Sequence, residues 1–273
     1  MPRFTTSDGV SLNYTDEGDG TPILALSGLT RNGRDFDFVA PHLSGHRLIR
    51  LDYRGRGQSD WAPFETYTVP REAQDAVELL DHLGLDKVAV LGTSRGGIIA
   101  MMLGAMAKAR LTGVAMNDIG PVIDGPGLTA IMGYLGRRPA LSSHAEALAA
   151  WPGLLRGFDN VPESRMREEI ERLFVEAEDG LDITYDPRLR DAVEATSHQP
   201  APDLWPLFET LSGLPVAVIH GENSDLLSRA TVDEMARRHP GLIVAHVPGR
   251  GHIPYLDEPE SLAALEAWRA QLP

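Results

Sequence analysis

The sequence predicts an α/β protein, with a mostly parallel sheet flanked by helices and one long helical insertion. Three observations predict it. Short apolar, β-branched runs alternate with helical patterns. A hairpin-like stretch precedes them. The segment 121–214 carries no convincing strand.

The hairpin comes first. Residues 4–7 and 10–14 flank Asp8-Gly9, a pair suited to a tight turn with positive φ, and a polar run over 16–21 ends the unit. Nearly unbroken apolar runs follow at 23–26, 48–51, 88–91, 114–116, 216–219 and 242–247. Such runs suit strands buried on both faces of a parallel sheet. Helical patterns lie between them, near 70–83, 95–109, 229–239 and 258–270. In the insertion, Pro and Gly are dense over 121–139. A helix is expected over 163–178, with Met166, Ile170, Leu173, Phe174 and Ala177 on one face. Pro162 sits where a first turn tolerates proline, and Glu163–Arg167 and Glu168–Arg172 form i,i+4 pairs opposite. A second short helix is expected to begin at Asp186-Pro187, with the Asp as N-cap. Leu204, Trp205, Leu207, Phe208 and Leu211 make an apolar cluster. The expected division is a core of 1–120 and 215–273 and a cap of 121–214. The cap lies over the sheet's carboxyl edge, where ligands bind in open α/β sheets. There is no internal repeat.

Composition narrows the function classes. The chain has 273 residues, 42% hydrophobic and 23% charged, enough to bury a sizeable core in one large domain or two small ones. It has no cysteine, which excludes disulfides, thiolate metal sites and a cysteine nucleophile and fits a reducing compartment. Asp+Glu number 39 against 25 Lys+Arg, a net charge of −14. That field repels phosphate backbones, so no nucleic-acid partner is expected. The N-terminus has no apolar signal-like stretch, and no run approaches the length of a membrane span. A soluble cytoplasmic protein without a membrane partner is expected.

The sharpest chemical signal is Gly92-Thr93-Ser94-Arg95-Gly96-Gly97, between an apolar strand and a helix. A nucleophile at such a turn has a strained backbone, and its neighbours two positions away must be small. Gly92 and Gly96 meet that need, and the helix N-terminus behind Ser94 favours developing negative charge. The bland alternative is a glycine-rich turn with an incidental serine. A serine hydroxyl needs a base. Among nine histidines, His252 in Gly249-Arg250-Gly251-His252 is the choice, because it follows the last strand and so lies at the same sheet edge. Its alternative role is capping the final helix. His220 is expected to be packed and hydrogen-bonded, and His246 to alternate within a strand. His42, His46, His82, His144, His198 and His239 are expected at the surface or at caps.

Two acids compete to orient the imidazole. Asp225 follows the strand at 216–219 and is the first choice on a Ser…Asp…His placement. Asp118, in Asn117-Asp118-Ile119-Gly120-Pro121, follows the preceding strand, and its alternative is a turn aspartate. An oxyanion hole needs two donors. The backbone N–H of Arg95 is one. The other is assigned to Leu29 in Ser27-Gly28-Leu29-Thr30-Arg31, where Gly28 lets the backbone approach closely.

Together these residues resemble the α/β-hydrolase superfamily, in its cap-bearing serine esterase and lactonase-like branch. The resemblance covers nearly the whole chain. It includes Asp52-Tyr53-Arg54-Gly55-Arg56-Gly57-Gln58-Ser59, similar to the family's D-x-R-G-x-G-x-S turn, which makes Arg54 and Arg56 scaffold residues. It implies an eight-stranded sheet, a helical cap after the sixth strand, and acyl-enzyme chemistry with neither cofactor nor metal. Two departures stand out. The family often carries His-Gly before the oxyanion residue, where this chain has Ser27-Gly28. It often carries Gln, Met or Leu after the nucleophile, where this chain has Arg95. Arg31 and Arg95 therefore either clamp a substrate carboxylate or carbonyl or pair with acids such as Asp35 or Asp118.

The functional expectation is hydrolysis of a carboxylic ester or lactone of a small, largely apolar substrate. Trp205 and Phe208, with Met132, Tyr134 and Leu135, are candidate pocket walls; cap-to-core packing is their alternative. A Ser nucleophile argues against the epoxide-hydrolase and haloalkane-dehalogenase branches, which need a carboxylate. Two alternatives remain: C–C bond hydrolysis of a dienoate or β-diketone with Arg95 biasing the site, and a non-catalytic ligand receptor. An exposed apolar cap face would support a homodimer.

Overall fold

The computed structural model describes residues 2–196 and 202–273. Ten strands are found among them: β1 (Arg3–Thr5), β2 (Ser11–Glu17), β3 (Thr21–Leu26), β4 (His46–Leu51), β5 (Val88–Thr93), β6 (Leu111–Asn117), β7 (Phe174–Ala177), β8 (Gly180–Ile183), β9 (Val216–Gly221) and β10 (Ile243–Val247). The core helices are α1 (Val69–His82), α2 (Arg95–Ala107), α8 (Arg229–Arg238) and α9 (Pro259–Arg269). Between β6 and β9 lie α3 (Gly125–Tyr134), α4 (His144–Leu154), α5 (Glu163–Leu173), α6 (Leu189–Thr196) and α7 (Trp205–Glu209).

Eight strands form one sheet in the order β1-β2-β4-β3-β5-β6-β9-β10. The β1/β2 and β2/β4 pairs are antiparallel and the others parallel. The expected hairpin is present, with Gly9 at φ +86° in its turn. Every residue of β5 and of β9 is buried, as their unbroken apolar runs require. One face of the sheet packs against α1, α2 and α8 through residues such as Leu79, Ile99, Met116 and Met235. The other packs against α9 and the 3-10 turns Gly33–Phe36 and Ala40–Leu43, around Phe36, Leu91 and Trp268. The chain runs outward from β3 to β4, then returns to place β5 on β3's other side. That reversal opens a crevice at the carboxyl ends of β3 and β5, the usual place for a ligand in such sheets.

The insertion differs from expectation in two ways. The helix beginning at Glu163 stops at Leu173, and the chain turns extended at Phe174 (φ −131°, ψ 153°). Residues 174–183 form an antiparallel hairpin, pairing Phe174 with Ile183 and Ala177 with Gly180. The helical spacing ran on through Phe174 and Ala177, but Gly180 at φ +121° permits a tight return. In addition, α3 forms inside the Pro- and Gly-dense stretch, with its proline in the first turn. Asp186 does lead into α6, its Oδ1 accepting from Arg188 N–H at 2.9 Å.

The histidines follow the expectations in part. His220 is 3% exposed and bonds the Leu227 carbonyl at 2.9 Å. His239 caps α8 but is buried under Phe208 instead of facing solvent. His198 lies outside the described residues. No helix among those described is long and apolar enough to cross a membrane.

Candidate active site

Ser94 stands between β5 and α2 at φ +50°, ψ −115°. The turn is tight enough that side chains are barred around it. A Cβ on Gly92 would lie 2.5 Å from Gly96, and one on Gly96 would lie 1.9 Å from the Leu26 carbonyl oxygen. The serine is therefore held in a sparsely populated conformation by neighbours that leave it no alternative.

His252 follows β10. Its Nδ1 lies 2.8 Å from Asp118 Oδ2, and its Nε2 lies 3.0 Å from Ser94 Oγ. A carboxylate can only accept, so Nδ1–H donates to Asp118 and Nε2 is left to accept the serine O–H. Serine, imidazole and carboxylate thus form one unbroken chain of hydrogen bonds.

The acid in that chain is Asp118, not Asp225. Asp118 is fully buried just past β6 at φ +53°, a left-handed conformation that Asp tolerates better than most residues. Its Oδ1 accepts from Gly221 N–H at 2.8 Å, and its Oδ2 from Ser224 O–H at 2.6 Å as well as from His252. The last residue of β9 and the loop after it therefore supply donors to the carboxylate instead of the carboxylate itself. Asp225 is not the carboxylate on His252; its backbone carbonyl instead accepts from Gly127 N–H at 3.0 Å at the start of α3. The order Ser, Asp, His is satisfied by either aspartate, and β6 and β9 are neighbours, so sequence order did not separate them.

The expected oxyanion donors adjoin the nucleophile in the chain or through a neighbour: Arg95 follows Ser94, and Leu29 follows Gly28. Among the described residues neither backbone N–H donates to any acceptor. Gly28 lies against the nucleophile, since a Cβ there would be 3.8 Å from Ser94 Cβ.

The two arginines are engaged internally. Arg31 lies 3.4 Å from Asp35 and 3.0 Å from Glu169 on α5. Burial opposes its charge, but Asp35 and Glu169 outweigh that and hold its pKa above the ordinary value. In return, burial pushes the Asp35 carboxyl up to about 6, with Arg31 pulling it down and Glu169 adding to the rise. Arg95 Nε donates to Glu72 Oε2 at 2.6 Å and Nη2 to the Tyr67 carbonyl at 3.0 Å. The pairing partner expected for Arg31 is present. For Arg95 it is Glu72 instead of Asp35 or Asp118, an acid that sequence spacing did not single out.

Trp205 and Phe208 do not face the site. Phe208 is 1% exposed in the core beneath α2, and Trp205 is partly buried against it with the Arg238 guanidinium 4.0 Å from its ring centroid. The apolar cluster around them is core, because α7 leads directly into β9. Met132 and Leu135 instead gather with Leu29, Tyr67, Ile183 and Tyr185 in a separate apolar cluster under the cap. Tyr134 is 53% exposed. The Arg31 and Asp225 charges stand near its phenol. A narrow cavity of about 10 Å³, room for one water, is lined by Thr93 and Ile253, the chain neighbours of Ser94 and His252, with Asp35, Asn117 and Tyr255 among others. Among the described residues no group of three His, Asp or Glu side chains is arranged to hold a metal.

Residues 23–265 match the Alpha/beta hydrolase family. A 3-hydroxybutyrate-oligomer hydrolase from Cupriavidus necator is 35% identical over 261 residues, covering 92% of this chain and 88% of that one. A 2-(acetamidomethylene)succinate hydrolase from Mesorhizobium japonicum is 27% identical over 260 residues, covering 94% and 90%. The crystal structure of an alpha/beta hydrolase from Novosphingobium aromaticivorans superposes with a TM-score of 0.92 at 35% identity, covering 99% of this chain and 98% of that one. The sheet order, the strained serine and these likenesses converge: the chain is a hydrolase belonging to the alpha/beta hydrolase family.

Proposed function

We propose that the protein cleaves an ester bond of a short hydroxyacyl oligomer through a Ser94–His252–Asp118 triad. The observation that carries this reading is the hydrogen-bond chain from Ser94 Oγ through both imidazole nitrogens to the buried Asp118 carboxylate. Ser94 Oγ attacks the ester carbonyl as its proton passes to His252 Nε2. Asp118 holds the imidazole in the required tautomer and stabilises the imidazolium. The Leu29 and Arg95 N–H groups receive the oxyanion; losing one such donor costs about 10²–10³ in kcat. The tetrahedral intermediate collapses as His252 returns the proton to the leaving alcohol. A water activated by the same imidazole then attacks the acyl-Ser94 ester and releases the acid.

The substrate class rests on two supports. The Cupriavidus relative is a 3-hydroxybutyrate-oligomer hydrolase, and the likeness spans 92% of this chain. Leu29, assigned to the oxyanion hole, packs in an apolar cluster with Met132 and Ile183, surroundings that suit short aliphatic units. A lactone of similar size presents the same carbonyl. The C–C bond alternative drew on Arg95, and that guanidinium faces Glu72. The receptor alternative leaves a complete hydrogen-bonded Ser-His-Asp set without a task.

The test uses 3-hydroxybutyrate dimer and trimer, p-nitrophenyl acetate and butyrate, and a small lactone. The reading expects a burst of one equivalent on the activated esters and release of 3-hydroxybutyrate from the oligomers, both abolished in Ser94→Ala. Activity that survives Ser94→Ala, or the lack of both a burst and a Ser94 adduct with an organophosphonate, overturns it.

A further inference from the structure

Both backbones assigned to the oxyanion hole lead by side-chain contacts to one carboxylate. Glu72 sits in the first turn of α1 and is fully buried. A carboxylate taken out of water persists only with close partners, and Glu72 has two. Its Oε2 accepts from Arg95 Nε at 2.6 Å, and its Oε1 lies 2.9 Å from Arg56 Nη1 in an ion pair whose angle is poor for a hydrogen bond. Arg95 carries one of the two free N–H groups. Arg56 reaches the residue that carries the other, through its carbonyl and not its N–H: Arg56 Nε donates to the Leu29 carbonyl at 3.0 Å, and Nη1 donates to the Arg54 carbonyl at 2.6 Å. The guanidinium also lies 5.2 Å from the Tyr67 ring centroid and 5.7 Å from that of Tyr53.

We infer that Glu72 is a positioning residue for the oxyanion hole, bridging Arg56 and Arg95 so that the Leu29 and Arg95 N–H groups keep a fixed separation and aim. The inference rests on the acyl-transfer reading above. The physical need is specific. The Leu29 backbone lies beside Gly28 in a loop, and a hydrogen bond to its carbonyl restricts rotation about Leu29 and so the direction of its N–H. Arg95 opens α2, and tying its side chain to α1 fixes that helix start laterally. Oxyanion donors work only when preorganised at hydrogen-bond distance from the developing charge, and a misplacement of about 1 Å can cost on the order of 10²-fold. A bridging carboxylate sets both at once. It also gives the arginine after the nucleophile a role at a position where the family often carries an uncharged residue.

The test measures kcat and KM on p-nitrophenyl butyrate and the Ki of an alkyl trifluoromethyl ketone, whose serine hemiketal carries an oxyanion. In Glu72→Gln, kcat is expected to fall about 10- to 100-fold with Ki rising by the same factor and KM moving less than about twofold. A purely structural role would lower Tm and leave Ki/KM where it was. Arg95→Met keeps the backbone N–H and cuts only one tie, so it serves if Glu72→Gln does not fold; a smaller but parallel shift in kcat and Ki is expected. Unchanged kcat and Ki in the folded variant, or a fall in kcat without a matching rise in Ki, overturns the inference while a phosphonate adduct on wild-type Ser94 leaves the hydrolase reading standing. A wild type that neither forms that adduct nor binds the ketone removes both.

Discussion

At the carboxyl edge of the sheet, Ser94, Asp118 and His252 ride on backbone dictated by buried strands; in the cap, short elements are held by side chains. Asp118 accepts from a backbone N–H, a hydroxyl and an imidazole with no exposure to solvent. The cap's own core is small, centred on Ala147, Ile170 and Leu181. Its hairpin is mostly exposed at β7, and Arg138 meets Asp179 with both side chains largely in water, a pairing that contributes little. Leu128, Tyr134, Leu154 and Val175 leave apolar surface uncovered. The difference teaches where order comes from: buried strand ends hold Ser94, Asp118 and His252 in one hydrogen-bonded chain, whereas the cap relies on small clusters and exposed pairs. The two regions meet where Tyr67 O–H donates to Asp186 at 2.6 Å and Asp186 N–H donates to the Gly55 carbonyl at 2.8 Å.

The largest effect is expected at the edge. Ser94→Ala should reduce kcat by about 10⁴- to 10⁶-fold with Tm nearly unchanged, read by ester turnover and a thermal melt; a modest loss would break the contrast at once. Next comes the acid. Asp118→Asn should cost about 10³- to 10⁴-fold in kcat by favouring the wrong imidazole tautomer, whereas Asp225→Asn should stay within about threefold. Reversed magnitudes would return the role to Asp225.

Stability sharpens the comparison further. Phe208→Ala removes a buried core ring and should lower unfolding free energy by about 3–5 kcal/mol with KM unaltered. Met132→Ala, under the cap, should cost less and raise KM, and denaturant titrations paired with kinetics separate the two. The smallest effect is the titration of Asp35. Its carboxyl is pushed from 3.8 up to about 6 in the fold, so the folded state binds the extra proton between those values. Stability must therefore fall as pH rises from 3.8 toward about 6, by at most about 3 kcal/mol. Asp35→Asn should flatten that segment of the pH–stability curve, and an unchanged slope would show that Arg31 holds Asp35 ionised throughout, against burial and Glu169.

Much of this was readable because local rules and global architecture agree. The six apolar runs after the hairpin became the parallel strands and the strand partnering β2, since strands buried on both faces leave no alternation to misread. Ser94 was legible from its glycines, because only small residues fit where the structure leaves 1.9 Å and 2.5 Å for a side chain. The helix expected over 163–178 broke at Leu173 because a helical spacing of apolar residues does not reveal that Phe174 has a strand partner in Ile183. Trp205 and Phe208 were candidate pocket walls because hydrophobicity alone does not tell core from cavity.

By itself, then, the sequence determined the strand-and-helix alternation, the strained serine turn, the histidine after the last strand and the absence of thiol chemistry. These depend on residue type and near neighbours. Only the tertiary structure decided that Asp118 partners His252, that Glu169 joins Asp35 on the Arg31 guanidinium, and that Glu72 gathers Arg56 and Arg95. Each of those is a contact between elements far apart in the chain. Its geometry is set by how the sheet orders its strands and how helices lie on it, which no local spacing encodes.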